Sequence, residues 1–129
     1  MTLYQGIDIV DVQRLREVYL RHKGFGEDIF TENERGYCFS KRNPYLHLAG
    51  RFAAKEACLK ALGIGMSGMG IDNAFREVEV VNGKSGKPVI GLKGWVKGLC
   101  RRIDPSQITV SISHTGEYAV STVMILAER

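Results

Sequence analysis

Nowhere in this sequence do two cysteines stand at the CxxC spacing of a zinc or redox site. There are only three cysteines in all, Cys38, Cys58 and Cys100. An odd number without that spacing argues against a disulfide framework or a structural zinc. Reduced thiols and a cytoplasmic location are the expectation. His22, His47 and His114 lack the spacing of zinc ligands too. No apolar run is long enough to span a bilayer, so no membrane association is expected. The opening MTLYQGIDIVDV has no basic segment and contains two aspartates, which argues against a secretory signal. Repeats, low-complexity tracts and linkers are missing as well, so the 129 residues read as one domain spanning 1–129. With 44% apolar and 25% charged residues, the chain can bury a core without covalent staples.

What is present begins with charge. The formal net charge is +4, which favours an anionic partner without choosing among nucleic acid, phosphorylated small molecules and an acidic protein. Arg14, Arg16, Arg21, His22 and Lys23 fall close together, diluted only by Asp11 and Glu17.

Leu3 to Val10 alternates as a strand, with Ile7 and Ile9 on one face and Gly6, Asp8 and Val10 on the other. Asp11 can cap a helix running to about Lys23 and ended by Gly24. Thr31 and Glu34 form a capping-box pattern that opens a short helix to Ser40. Asn43-Pro44 opens a longer helix that ends at Gly63. A glycine-rich loop follows to Gly70. Phe75 to Val81 alternates like a strand, NGKSGKP is a turn, and Val89 to Leu92 can return as the other arm of a hairpin. Trp95 to Ile103 reads as a short helix broken by Asp104-Pro105. Gln107 to Ser113 and Tyr118 to Leu126 read as two strands. The expected fold is α+β: an antiparallel sheet packed on one long helix, with shorter helices.

The long helix contains GRFAAKEACLKALG, residues 50–63. At 100° per residue, Leu48, Phe52, Leu59 and Leu62 form one apolar arc, and Glu56 lies roughly 65° from its centre. Glu56 shares its side with Ala49, Ala53 and Lys60, where small residues let a ligand or another backbone come close. A wet i,i+4 pair of Glu56 with Lys60 accounts for the same pattern. Lys55 is odder, because it falls inside the apolar arc; it can snorkel or reach a ligand at the edge of the core. Asp8 interrupts GIDIV, although aspartate is depleted in strand interiors. It is either an exposed residue on a wet edge or a metal carboxylate. One Asp from a strand and one Glu from a helix packed on it would suit Mg²⁺, which takes one or two carboxylates and completes its shell with phosphates and water.

Two motifs mislead. Gly63 to Gly68 matches GxGxxG but follows a helix, whereas a dinucleotide fingerprint follows a strand. Ser113 and His114 are adjacent in a strand and point to opposite faces, which is poor geometry for a nucleophile and its base.

GIDIV, GRFAAKEACLKALG and SISHTGEYAV, in this order and at these distances, resemble the holo-acyl-carrier-protein synthases, the short single-unit class of 4′-phosphopantetheinyl transferases. The resemblance implies Mg²⁺-dependent transfer of the phosphopantetheine arm of coenzyme A to a serine of an apo acyl carrier protein. It places metal ligands at Asp8 and Glu56, and catalytic roles at these two and at Lys60. Coenzyme A contacts fall at Arg42, Arg51, Lys55, Lys60, Gly63, Gly65, Gly86, Lys87, Pro88, His114 and Thr115, and carrier-protein docking at Arg14, Arg21 and Phe25. A homotrimer with sites across subunit boundaries is implied too. Ile64 departs from the threonine often found after KALG, and Met66 follows it. A solvated basic helix remains the plain alternative for the docking surface. Two other functions compete: a metal-dependent nucleotide pyrophosphate hydrolase, and a non-enzymatic anion- or RNA-binding module. The sequence has no RNP1-like motif and little interleaving of aromatic with basic residues, so nucleic acid is not the expected partner.

Overall fold

The computed structural model describes residues 1–64 and 71–129. Strand β1 (Thr2–Asp11) pairs antiparallel along its whole length with β5 (Tyr118–Ala127). β5 also pairs with β4 (Pro105–His114), giving the order β1-β5-β4. A separate hairpin is made of β2 (Val78–Asn82) and β3 (Pro88–Leu92). Six helices are described: α1 (Val12–Arg21), α2 (Phe25–Ile29), α3 (Glu32–Phe39), α4 (Pro44–Ala61), α5 (Ile71–Glu77) and α6 (Gly94–Arg101). This is the expected α+β architecture, with α4 laid across β1 and β5.

Several local signals act as read. The Asp11 carboxylate accepts from the Arg14 amide at 3.0 Å and opens α1. Thr31 and Glu34 complete both halves of the capping box at α3. Pro44 is at the first position of α4, although Asn43 makes no side-chain cap there. Gly63, at φ +76, turns the chain out of α4 as the Ile64 amide donates back to the Leu59 carbonyl at 2.8 Å.

Two short helices replace expected irregular or extended chain. α1 stops at Arg21, and Gly24 at φ +89 reverses the chain into α2. The alternation from Phe75 to Val81 is half helix: α5 runs to Glu77 and only then does β2 begin. Ala74, Phe75 and Val78 are all buried, a helical rather than a two-residue spacing, and the Phe75 ring stacks on Phe52 at 5.4 Å.

The core forms where α4 meets the sheet. Leu48, Ala49, Ala53, Ala57, Cys58 and Leu59 are buried against alternate residues of β5, namely Ala119, Ser121, Val123, Ile125 and Ala127. Gly6 makes the approach possible, because a Cβ there would run into the Ala57 carbonyl. No described residue covers the opposite face of the sheet. Leu3, Ile7, Ile9, Tyr118 and Met124 all point away from α4 and are exposed, Ile9 at 64%.

Candidate active site

Close packing at Gly6 sets the chemistry two residues further on. Asp8 lies on the same inner face of β1, opposite Ser121 of β5, and meets Glu56 of α4. Lys60, one turn beyond Glu56, donates to Asp8 Oδ1 at 2.9 Å and to the Ile7 carbonyl at 3.1 Å. That bond raises the Lys60 pKa. The other carboxylate oxygen of Asp8, Oδ2, is buried and has no partner among the described residues. Glu56 is pushed up to about 7, first by burial and then by the neighbouring Asp8 carboxylate, while Lys60 pulls the other way. Two carboxylates that cannot both ionise comfortably and one orphaned oxygen make a donor set that fits a hard divalent cation. Among the described residues no cluster of three or more His, Cys, Asp or Glu side chains could hold a metal. The remaining ligand positions would therefore fall to water and to a substrate's phosphate oxygens.

This electrostatics has a measurable sign. Folding raises the Glu56 pKa from 4.5 to about 7. The stability it contributes is fully present below the unfolded value and lost as pH rises through the folded one. In EDTA, thermal melts from pH 4.5 to 8 should show the wild type losing stability relative to Glu56→Gln. A constant difference across that range would refute the raised pKa.

The carboxylates open into a cleft of about 440 Å³ whose walls are Val10, Leu15, Val18, Phe25 and Phe52, with Arg14 at its polar side. Two of the expected docking residues, Arg14 and Phe25, thus stand beside Asp8 and Glu56. Arg21 is exposed at the end of α1 and outside the cleft lining.

A second, smaller cleft of about 180 Å³ brings together Arg51, Gly86, Pro88 and His114 from three separate segments. Tyr37, His47 and Asn82 join them. The Arg51 guanidinium stacks 4.2 Å from the Tyr37 ring and donates to Asn82 Oδ1 at 2.8 Å, while its buried Nε lacks a partner among the described residues. His47 and His114 stand edge to face at 5.8 Å. Burial lowers the His47 pKa, and the charges of His114, Arg51 and Lys41 lower it further. Tyr37, His47 and Asn82 escaped sequence reasoning. Only Asn82, in the NGKSGKP turn, had a local signal.

Other expected contacts lie outside both clefts. Arg42, Gly63 and Lys87 are exposed. Thr115 accepts the amides of Glu117 and Tyr118 at 3.2 and 3.1 Å and so holds the β4–β5 turn. Ile64 packs against the core in place of a hydroxyl residue. Gly65 and Met66 lie outside the described residues.

Lys55 requires a correction. It was expected among the phosphate contacts, yet its side chain is fully buried. Its Nζ lies 2.7 Å from Glu34 Oε1, 2.8 Å from the Phe75 carbonyl and 2.6 Å from the Val78 carbonyl. An ammonium has three protons, and all three are used inside the protein.

Comparison with known proteins agrees with this fold. Residues 5–123 match the family model of the 4′-phosphopantetheinyl transferase superfamily. A holo-[acyl-carrier-protein] synthase of Caldanaerobacter subterraneus is 38% identical over 96% of this chain and 94% of its own. That of Chloroherpeton thalassium is 40% identical over 93% and 94%. Among solved structures, a Chronobacterium ammoniagenes ACPS–CoA complex superposes with a TM-score of 0.87 at 30% identity over all of both chains. The Helicobacter pylori holo-[acyl-carrier-protein] synthase in complex with coenzyme A gives 0.77 at 30% identity, over 95% of this chain and 99% of that one. Shared motifs, fold and full-length similarity place the chain in one family: it belongs to the 4′-phosphopantetheinyl transferase superfamily.

Proposed function

We propose that this chain transfers the 4′-phosphopantetheine group of coenzyme A to a serine of an apo acyl carrier protein and releases adenosine 3′,5′-bisphosphate. The carrying observation is the Asp8–Glu56 pair, with its orphaned oxygen, at the foot of a cleft that also holds Arg14 and Phe25. Asp8 and Glu56 would hold Mg²⁺, which supplies Lewis-acid neutralisation of phosphate charge. The serine oxygen attacks the β-phosphorus, and the bond from that phosphorus to the departing bisphosphate breaks. Glu56 accepts the serine proton as general base. Lys60, half exposed beside Asp8, neutralises charge on the transferring group. The apolar walls at Phe25 and Phe52 keep bulk water from competing with the serine. Reduced, buried cysteines accord with work in the cytoplasm.

The test is to incubate the chain with apo carrier protein, coenzyme A and Mg²⁺ and weigh the carrier. A phosphopantetheine mass gain that EDTA abolishes supports the transferase. Bisphosphate release without carrier modification would instead indicate hydrolysis.

Docking by the first helix gives a second expected result. Charge reversal at Arg14 and Arg21 should raise the KM for carrier protein about tenfold or more and weaken its salt dependence. The KM for coenzyme A should change little. Equal effects on both would refute the docking role.

A trimer with sites between subunits fits two observations. The outer sheet face, with Leu3, Ile7 and Ile9, lacks a cover among the described residues. Arg51 and Glu56 also point about 140° apart around α4, so the two clefts open on different sides of one protomer. A coenzyme A molecule that uses both kinds of cleft then takes them from adjacent copies. Sedimentation equilibrium at micromolar concentration should return three times the chain mass; a monomer would overturn the assembly.

A further inference from the structure

The chemistry just described leaves a buried ion pair unused. Glu34 Oε1 meets Lys55 Nζ at 2.7 Å and accepts the Thr31 amide at 2.9 Å, and Glu34 Oε2 accepts the Val80 amide at 2.8 Å. Lys55 adds the Phe75 and Val78 carbonyls. A second ring of contacts surrounds the pair: the Thr31 hydroxyl donates to Glu79 Oε2 at 2.6 Å, and Glu79 Oε1 lies 3.2 Å from Lys93 Nζ. Stability alone is a poor explanation for such a pair, because well-packed apolar residues often do as well or better.

Its connections point elsewhere. Val78, Val80 and Asn82 lie on one face of β2, since alternate residues of a strand share a side. The first two are tied by their backbone to Lys55 and Glu34. The third holds Arg51, one turn before Lys55 on α4. Opposite Asn82 in the hairpin stands Pro88, and Gly86 lies in the turn between them. Three walls of the second cleft, Asn82, Gly86 and Pro88, are therefore carried by a hairpin whose position against α4 the ion pair fixes.

We infer that Lys55 and Glu34 are positioning residues for the second cleft: they lock the β2–β3 hairpin to α4 so that Asn82, Gly86 and Pro88 face Arg51 at the spacing an adenosine bisphosphate needs. The inference rests on the transferase reading for the identity of that ligand. It assigns Lys55 an indirect part in cofactor binding, and it separates nucleotide affinity from carrier docking. The docking residues Arg14 and Phe25 belong to other elements, α1 and α2.

The test uses adenosine 3′,5′-bisphosphate as a calorimetric probe on the full chain. Glu34→Gln keeps the shape of the capping box but removes the charge that holds Lys55. Among molecules that melt cooperatively, its affinity for the bisphosphate should fall about tenfold, the scale on which contacts remote from a ligand shift its binding. The KM for coenzyme A should rise in step, and the KM for carrier protein should stay within about twofold. A merely structural role would lower the melting temperature and leave both nucleotide constants unchanged, which would overturn the inference. If the variant does not fold, the wild type still decides. Hydrogen exchange at the Val80 amide should slow more than at the Val123 amide of β5 when bisphosphate binds, because binding holds the hairpin against α4 in addition to stabilising the whole fold. A Val80 rate that slows no more than that of Val123 at saturation would overturn the inference. Absence of bisphosphate binding to the wild type would sink the transferase reading and this inference together; binding with no response in Glu34→Gln would sink this inference alone.

Discussion

Glu56→Gln is expected to cut transfer to the carrier protein by about 10³-fold or more, the usual reach of a lost general base, while leaving the protein folded. The side chain keeps its size and its half-buried seat between Asp8 and the apolar wall of the cleft. An amide N–H in this place can donate to Asp8, whose Oδ2 otherwise has no partner among the described residues. Repulsion between two carboxylates disappears as well. The fold should therefore be as stable as the wild type at neutral pH, or more so, in the manner of sites whose strain serves activity. On the proposed mechanism activity would fail for two reasons at once: the amide could not accept the serine proton, and one of the two anionic oxygen donors proposed for Mg²⁺ would be gone. The measurement is single-turnover mass gain on the carrier, beside a thermal melt. A rate within tenfold of wild type would remove Glu56 from the mechanism.

Gly6→Ala is expected to be the most damaging of the small substitutions. One methyl group would be driven into the Ala57 carbonyl, and no rotamer can avoid it, because the colliding partner is helix backbone. Overpacked sites ordinarily lose about 1–3 kcal/mol, and a collision of backbone with Cβ should be at the upper end or beyond. The way to relieve it is for α4 to lift from β1. That movement carries Glu56 and Lys60 together away from Asp8, so activity should fall further than the folded fraction does. Denaturant unfolding and carrier modification, measured on the same preparation, check both parts. A variant with wild-type stability would mean that α4 does not sit on β1 as described.

The resemblance and the periodicity of the chain reached different parts of this molecule. Asp8 was legible because an aspartate in a strand asks for a reason, and Glu56 because it fell at the border of the apolar arc among alanines. Their meeting required the helix to lie directly on the strand, and Gly6 was the residue that allowed it. The capping box at Thr31 and Glu34 was legible from four consecutive residues. The second task of Glu34 was not, since its partner Lys55 is 21 positions away and periodicity says which face is buried, never against what. The place of Lys55 inside the apolar arc is the signal of its burial. The alternation of Glu77 and Glu79 with Val78 and Val80 belongs to the junction of α5 with β2, so it extends a strand pattern back over the last turn of a helix. The second cleft draws Tyr37, Arg51, Asn82 and His114 from α3, α4, the hairpin and β4. No local pattern can announce a site assembled at such separations.

The bare outer face of the sheet carries one more implication. A protomer that shows Leu3, Ile7, Ile9 and Met124 to water is missing part of its own solvent shield. When copies supply that shield to one another, folding and assembly become a single reaction, and dilution acts as a denaturant. The chain then has no melting temperature of its own, only one at a stated concentration. The same coupling would make newly made chains most vulnerable while they are few, before enough copies exist to cover one another.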